Sequence, residues 1–508
     1  LISPDKSDKK EDKKGDKDSK KGVKDIVVEI DGLEDRVVRL TPTSSNMASA
    51  MITNDGQTLY YIASYQAGYE LWKMSENRET KLISKNSGVG SMEMSKDGKS
   101  IYILGSSPKK LTIAGDKLTN ISTSADMQLD LAAEREYMFN VVCREESRRF
   151  YTEDMHGVDW PALTKNYRQF LPHINNNYDF ANMLSELLGE LNVSHTGGRY
   201  SPRLPGVVTA DLGLFFDWEY QGSGLRVEEV IEGSPLDIKD SKVEKGVIIE
   251  KIDGVEITPD MDYTTLINDK ANVKTLLSLY NPFNGERWEE VTKPVSKSVI
   301  NNLLYERWIK NRAADVERLS NGRLGYVHIK SMNDGSFRDV YSDILGKYND
   351  KEGIVIDTRF NGGGRLHEDV EILFSGKKYL TQVIRGRESC DMPSRRYNKP
   401  SIMIQCEANY SNAHGTPWVY REVGLGKLVG MPVPGTMTSV SWTTLQDPTL
   451  VFGIPIVGYR TNRGNYLENS QLEPDFKVAN SPETIIYGVD SQLKVAVEEL
   501  LKQIDSQK

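Results

Sequence analysis

Between about residues 26 and 125, hydrophobic and polar positions alternate with a period of two in short runs such as Arg36-Val37-Val38-Arg39-Leu40, Thr58-Leu59-Tyr60-Tyr61-Ile62 and Ser100-Ile101-Tyr102-Ile103-Leu104. Successive side chains of a strand point to opposite faces of its sheet, so a half-buried strand shows this alternation. Asn54-Asp55-Gly56 and Lys96-Asp97-Gly98 separate the runs, and Asp-Gly pairs suit the tight turns of antiparallel hairpins. The two blocks form a repeat, with Asp55 and Asp97 standing 42 residues apart, inside the roughly 40 to 45 residues of a four-stranded propeller blade. About two to three blades fit here, fewer than the four or so of a closed ring. The pattern therefore predicts partial β-propeller blades, with the preceding blades outside this chain.

From 126 to 205 the period lengthens to that of a helix. Phe180, Met183, Leu184, Leu187 and Leu188 recur at intervals of three and four, and helices are expected at 126–146, 161–171 and 178–191. Residues 206–295 return to strands. There Leu212-Gly213-Leu214-Phe215-Phe216, Gly233-Ser234-Pro235 and Ile249-Glu250-Lys251-Ile252-Asp253-Gly254 follow in an order that resembles a PDZ domain. Between 296 and 508, helices expected at 299–319 and 337–348 alternate with continuously apolar strands at 324–329 and 353–357. This is the signature of an α/β layer whose parallel strands are buried on both faces. The expected architecture is multidomain, α+β and β, with partial blades at 26–125, a helical catalytic subdomain at 126–205, a PDZ-like domain at 206–295 and an α/β catalytic subdomain at 296–508.

Composition narrows the function. Lys and Arg number 64 against 73 Asp and Glu, a net charge of −9, which gives no overall attraction to nucleic acid. No run approaches the 18 or so apolar residues of a membrane span. Cys143, Cys390 and Cys406 are too few and too scattered for a disulfide framework or a zinc site. Residues 1–25 hold nine Lys, six Asp and one Glu with no aromatic, the composition of a disordered charged linker. The chain starts at Leu1 with no basic-then-apolar signal segment, which reads as a fragment or a processed form.

The chemistry is expected at the ends of the buried strands, where α/β sheets bind ligands. After Asp357, the run Thr358-Arg359-Phe360-Asn361-Gly362-Gly363-Gly364 can turn sharply and present bare N–H groups to an anion. It matches neither phosphate-loop pattern. After the strand at 401–405 comes Cys406-Glu407-Ala408-Asn409-Tyr410-Ser411-Asn412-Ala413-His414-Gly415, where Ser411 is either a nucleophile or a capping hydroxyl. A nucleophilic serine needs a base. Of His156, His173, His195, His328, His367 and His414, the first choice is His195, in the small-residue loop Val193-Ser194-His195-Thr196-Gly197-Gly198 after an apolar helix, with His414 as rival. His367-Glu368 lacks a second ligand cluster, so no metal and no cofactor is expected.

Leu191-Asn192-Val193-Ser194-His195, the PDZ-like unit, the Asp357 to Gly364 run, Ala408-Asn409-Tyr410-Ser411, Gly424-Leu425-Gly426-Lys427-Leu428-Val429-Gly430 and Glu468-Asn469-Ser470-Gln471-Leu472-Glu473-Pro474-Asp475 together resemble the tricorn protease family, relatives of the C-terminal processing peptidases. The resemblance implies a serine peptidase acting on peptides or oligopeptides through a Ser-His-Ser-Glu tetrad: Ser411 as nucleophile, His195 as base, Ser194 beside it and Glu468 as the orienting carboxylate. It implies an oxyanion hole from the backbone N–H groups of Gly363 and Asn412, a homo-oligomer and a cytoplasmic setting, with a periplasmic or secreted one left open. In the family the residues after the nucleophile are often Asp-Gly and here they are Asn412-Ala413. Residues 376–385 carry no carboxylate, so the family's preference for basic side chains does not transfer. The alternative function is a peptide-binding scaffold with vestigial catalysis, using the PDZ-like groove.

Overall fold

From Asn46 on, the N-terminal alternation folds into two antiparallel meanders. The alternating run Arg36 to Leu40 instead forms no strand: Glu34–Arg36 is a 3₁₀ turn, and Val37 and Val38 stay exposed, with no sheet partner among the described residues to bury them. The structure, a computed structural model, describes residues 28–506 apart from 42–43, 66–67, 86–89 and 203–205, so the charged segment 1–25 lies outside the described residues. Strands β1 (Asn46–Ile52), β2 (Thr58–Ser64), β3 (Glu70–Ser75) and β4 (Thr80–Ser84) make one sheet, and β5 (Ser91–Met94), β6 (Ser100–Leu104), β7 (Lys109–Thr112) and β8 (Lys117–Asn120) a second. The repeat in sequence is a repeat in turn chemistry. Asp55 accepts from Gln57 N–H at 3.1 Å and Thr53 Oγ1 at 2.6 Å, and Asp97 from Lys99 N–H at 3.1 Å and Ser95 Oγ at 2.7 Å. Gly56 and Gly98 both take the positive φ that glycine adopts without strain. Tyr60, Ile62, Leu71, Ile101, Ile103 and Leu111 bury their side chains in one core.

The chain divides into two compact units, one ending at Leu129 and one beginning at Asp130. The second opens with α1 (Leu131–Arg149), whose first N–H groups, of Ala132 and Ala133, are capped by the Asp130 carboxylate. That cap moves the start five residues later than hydrophobic spacing alone predicts. Then come α2 (Trp160–Arg168), α3 (Asn177–Gly189) and β9 (Gly197–Tyr200). Strands β10 (Ala210–Asp211), β11 (Leu214–Phe216), β12 (Leu225–Val230), β13 (Ile248–Ile252), β14 (Val255–Glu256), β15 (Thr275–Tyr280), β16 (Arg287–Thr292) and β17 (Val295–Ser296) follow. Strands β11 to β16 form an antiparallel sheet in the order β11-β12-β13-β15-β16, with β14 on β13, while β10 and β17 pair as a separate two-stranded sheet.

The remainder alternates helix and strand: α4 (Lys297–Leu319), β18 (Leu324–His328), α5 (Asp334–Ser342), β19 (Gly353–Asp357), α6 (His367–Phe374), the hairpin β20 (Leu380–Ile384) and β21 (Arg387–Met392), β22 (Ser401–Gln405), α7 (Asn412–Glu422) and β23 (Lys427–Gly430). Beyond them run β24 (Thr438–Thr444), β25 (Leu450–Gly458), β26 (Phe476–Lys477) and a last helix, Ser491–Ser506. A parallel sheet runs β18-β19-β22-β23-β26. Alternate residues enter different cores. Ile354, Ile356 and Met403 face α5, α6 and α7, whereas Val355, Ile402 and Ile404 face α4 and the last helix. Both faces are buried, which explains the unbroken apolar runs. A third sheet ties the chain's distant parts together, because β9 pairs antiparallel with β25, which pairs with β24.

Candidate active site

Strands β19 and β22 are neighbours, so the loops leaving their carboxyl ends lie side by side. Ser411 occupies the junction of its loop with α7 at φ 59 and ψ −125. Left-handed backbone is strained for a residue with a Cβ, and it turns the serine out of the line of the strand. The facing loop makes room with glycine: a Cβ on Gly363, whose φ is +99, would lie 2.6 Å from Ser411 Cβ and 3.1 Å from its Oγ. The loops are also stitched. Tyr410 N–H donates to Asn361 O at 3.0 Å, Asn409 Nδ2 to Thr358 Oγ1 at 3.0 Å, and Ser411 N–H to Thr436 Oγ1 at 3.0 Å.

The backbone donors beside Ser411 differ from one another. Asn412 N–H, at the first position of α7, has no acceptor within its helix. Gly363 N–H donates to Asn361 Oδ1 at 2.8 Å, an engagement that spacing did not foretell. The Asn412 side chain reaches across to α6, where its Oδ1 accepts from Leu366 N–H at 2.8 Å and His367 N–H at 3.2 Å. Its Nδ2 lies 2.7 Å from His367 Nδ1. Asn412 thereby caps the helix that follows the glycine loop.

His195 comes from the opposite side, between α3 and β9, with a left-handed φ of 64. Its N–H donates to the Tyr410 hydroxyl at 2.8 Å, and the two rings lie 4.7 Å apart. The histidine loop is therefore fastened to the residue just before Ser411. No hydrogen bond joins the Ser411 and His195 side chains, and such bonds are commonly long until substrate is bound. Behind the ring, Nδ1 is 2.9 Å from Ser194 Oγ and 3.1 Å from Thr438 Oγ1. Ser194 Oγ donates to Glu468 Oε2 at 2.9 Å and Ser194 N–H to Oε1 at 2.5 Å. A carboxylate only accepts, so Ser194 Oγ spends its proton on Glu468 and takes one from His195 Nδ1–H, leaving Nε2 as a lone pair. Burial, then the charge of Arg199, pushes the His195 imidazole from its ordinary 6.5 down to about 4. Burial also raises Glu468, opposed by its hydrogen bonds from the N–H and hydroxyl of Ser194.

The rival base, His414, lies in the first turn of α7 with no exposed surface, and neither ring nitrogen has a partner. Burial drives it down to about 4 as well. His328 holds the Tyr305 hydroxyl at 2.6 Å. Thr436, Thr438 and the Tyr410 hydroxyl went unnoticed in the sequence. Thr436 and Thr438 are lost among the hydroxyl residues of the run 436–444, and the partners of all three at the site lie 25 to 243 positions away in the chain. Among the described residues no cluster of three or more His, Cys, Asp or Glu could hold a metal ion, and no helix is long and apolar enough to cross a membrane.

Residues 323–478 match peptidase family S41 and residues 131–189 the tricorn protease C1 domain. The chain is tricorn-like. It is 26% identical over 424 residues to tricorn protease homolog 1 of Streptomyces coelicolor, covering 80% of this chain and 40% of that one. It is 23% identical over 455 residues to the tricorn protease of Thermoplasma acidophilum, covering 85% and 39%. The crystal structure of the tricorn protease superposes with a TM-score of 0.74 at 18% identity, over 91% of this chain and 47% of that one. The tricorn-like fold thus extends through most of the chain, with mixed α and β content in several sheets, while the chain spans about two fifths of the length of these two curated relatives.

Proposed function

We propose that this tricorn-like chain is a serine peptidase cutting peptides or oligopeptides, with Ser411 as nucleophile, His195 as general base, and Ser194 and Glu468 orienting the base. The observation that carries the reading is the chain of hydrogen bonds Glu468–Ser194–His195 Nδ1, fastened through Tyr410 to the strained serine. In the reaction, His195 Nε2 takes the Ser411 proton as Oγ bonds to the scissile carbonyl carbon, and Ser194 and Glu468 stabilise the imidazolium that forms. The negative oxygen of the tetrahedral intermediate is met by Asn412 N–H, and by Gly363 N–H, which shares itself with Asn361 Oδ1. Collapse breaks the C–N bond, with the His195 proton passing to the leaving amine. Water, deprotonated by the same nitrogen, then releases the acid.

The same proposal takes the two meanders within 26–125 as propeller blades, supported by their identical turns, and 206–295 as a PDZ-like domain, supported by its Leu-Gly-apolar strand at a sheet edge. A homo-oligomer belongs with it by likeness alone. A fluorophosphonate probe read by intact mass tests the chemistry. The expected result is one adduct per chain, located on Ser411 and missing from Ser411→Ala. An unlabelled parent chain, or an adduct elsewhere, overturns the assignment.

A further inference from the structure

The helical side of the site holds a second histidine that has so far been given no task. His156 sits in the turn Met155-His156-Gly157, and Met155 and His156 both take left-handed φ, 48 and 57. Two successive residues with side chains stay in that region only where their surroundings hold them there. The hold is on the ring. Nδ1 lies 2.9 Å from Leu191 O and Nε2 lies 2.5 Å from the Tyr151 hydroxyl. A carbonyl oxygen only accepts, so Nδ1 carries the proton and Nε2 accepts from Tyr151. The Tyr151 ring in turn packs edge-on against Tyr466, 5.2 Å between centroids. Gly458 makes this fit possible, because a Cβ there would lie 2.3 Å from the Tyr151 ring and 2.9 Å from the Tyr466 ring. Leu191 precedes Ser194 by three residues and Tyr466 precedes Glu468 by two.

The geometry points to His156, with Tyr151, as a positioning residue that grips the segments at 191–195 and 466–468 together, in the register at which Glu468, Ser194 and His195 Nδ1 align. This inference rests on the serine peptidase reading above. The two segments come from chain positions more than 270 residues apart and meet where the Glu468 carboxylate accepts from both the hydroxyl and the N–H of Ser194, with Asn469 Nδ2 donating to Asn192 O beside them. A hydrogen bond from Ser194 to Glu468 tolerates only a few tenths of an ångström of slip. The Leu191 carbonyl on one side and the Tyr466 ring on the other restrain both partners from behind.

Steady-state kinetics on a peptide substrate with the full chain test the role. His156→Ala should lower kcat by about 10- to 100-fold with KM within about twofold, the range expected for a misplaced catalytic group. His156→Asn, whose side-chain amide can donate to Leu191 O, should recover kcat to within about fivefold of the parent. Tyr151→Phe keeps the ring on Tyr466 and loses only the hydroxyl, so kcat should fall by about threefold to tenfold at unchanged KM and Tm. A folded His156→Ala with parental kcat, or a His156→Asn no better than His156→Ala, overturns the positioning role. If His156→Ala does not fold, Tyr151→Phe decides alone, and parental kinetics in it overturn the role. The peptidase reading is judged separately: Ser411→Ala that still turns over substrate sinks that reading, whereas inactive Ser411→Ala beside fully active His156→Ala removes only His156.

Discussion

Ser411 stands at the carboxyl edge of a parallel sheet, between a fully buried strand and a largely buried helix, and its place is set by backbone: a left-handed φ, and a glycine where any side chain would collide. His195 stands at the start of a strand in an antiparallel sheet. Its backbone is left-handed too, at φ 64, with Gly453 making room for its carbonyl, but its ring and loop are held by side chains, through the hydroxyls of Ser194, Thr438 and Tyr410 and, behind Ser194, the carboxylate of Glu468. A position fixed by backbone and sterics fails abruptly, because no small adjustment relieves a collision. One fixed by several hydrogen bonds fails by degrees, because each bond carries a part.

The largest effect should come from the reacting groups themselves. Ser411→Ala should lose at least about a thousandfold in kcat with its Tm unchanged, and His195→Ala should lose about as much, with the double variant no worse, since such groups act as one unit. Residual parental turnover in either would remove that residue from the reaction. Next comes the steric side. Gly363→Ala should lower kcat by about a hundredfold or more and destabilise by about 1–3 kcal/mol, because alanine must take a φ of +99 while its Cβ meets Ser411. Parental kcat and Tm would mean that the glycine loop yields, and the contrast between the two sides would collapse.

Glu468→Gln should be milder, about tenfold to a hundredfold in kcat, since the amide keeps shape and an acceptor but loses the charge that steadies the imidazolium. A loss as great as that of Ser411→Ala would show that the histidine side is as brittle as the serine side. The smallest effect is on pH dependence. With His195 held near 4, the base stays neutral as pH falls, so the acid limb of kcat/KM should lie well below 6.5, toward about 4. The depressed value has the opposite sign for stability, which is complete above 6.5 and is lost as pH falls from 6.5 through about 4, because the unfolded chain takes the proton first. Arg199→Gln removes a nearby positive charge and should move that limb upward by roughly a few tenths of a pH unit. An acid limb at 6.5 in the parent chain would show that the ring is not buried as described.

The parallel-sheet half was the most legible. The strand expected at 353–357 has those bounds in the structure, and β22 coincides with the apolar run at 401–405, because burial on both faces writes an unbroken apolar run into the chain. Helices were legible to within their ends. The one expected at 337–348 instead runs Asp334–Ser342, started by the Asn333 side chain capping Ser336 N–H, and then loosens into a wider turn at Asp343–Lys347. The motifs named the residues of the proposed site but not its supports. Thr438 meets His195 across 243 positions and Tyr410 across 215, and contacts so long-range leave no periodicity to read. Asn361 binding Gly363 N–H was hidden differently, since a local side chain competes for a donor that the motif suggests is free.

The pairing of β9 with β25 has a consequence in time. The segment carrying Ser194 and His195 leaves the ribosome well ahead of Glu468, the acceptor for Ser194, which is 274 residues downstream, and pairings so distant in sequence are among the last and slowest to form. Until β25 is made and zipped onto β9, the histidine has neither its sheet nor its carboxylate, and the serine loop has no base. On the proposed peptidase reading, a nascent chain cannot cut itself or its neighbours until β9 and β25 have paired.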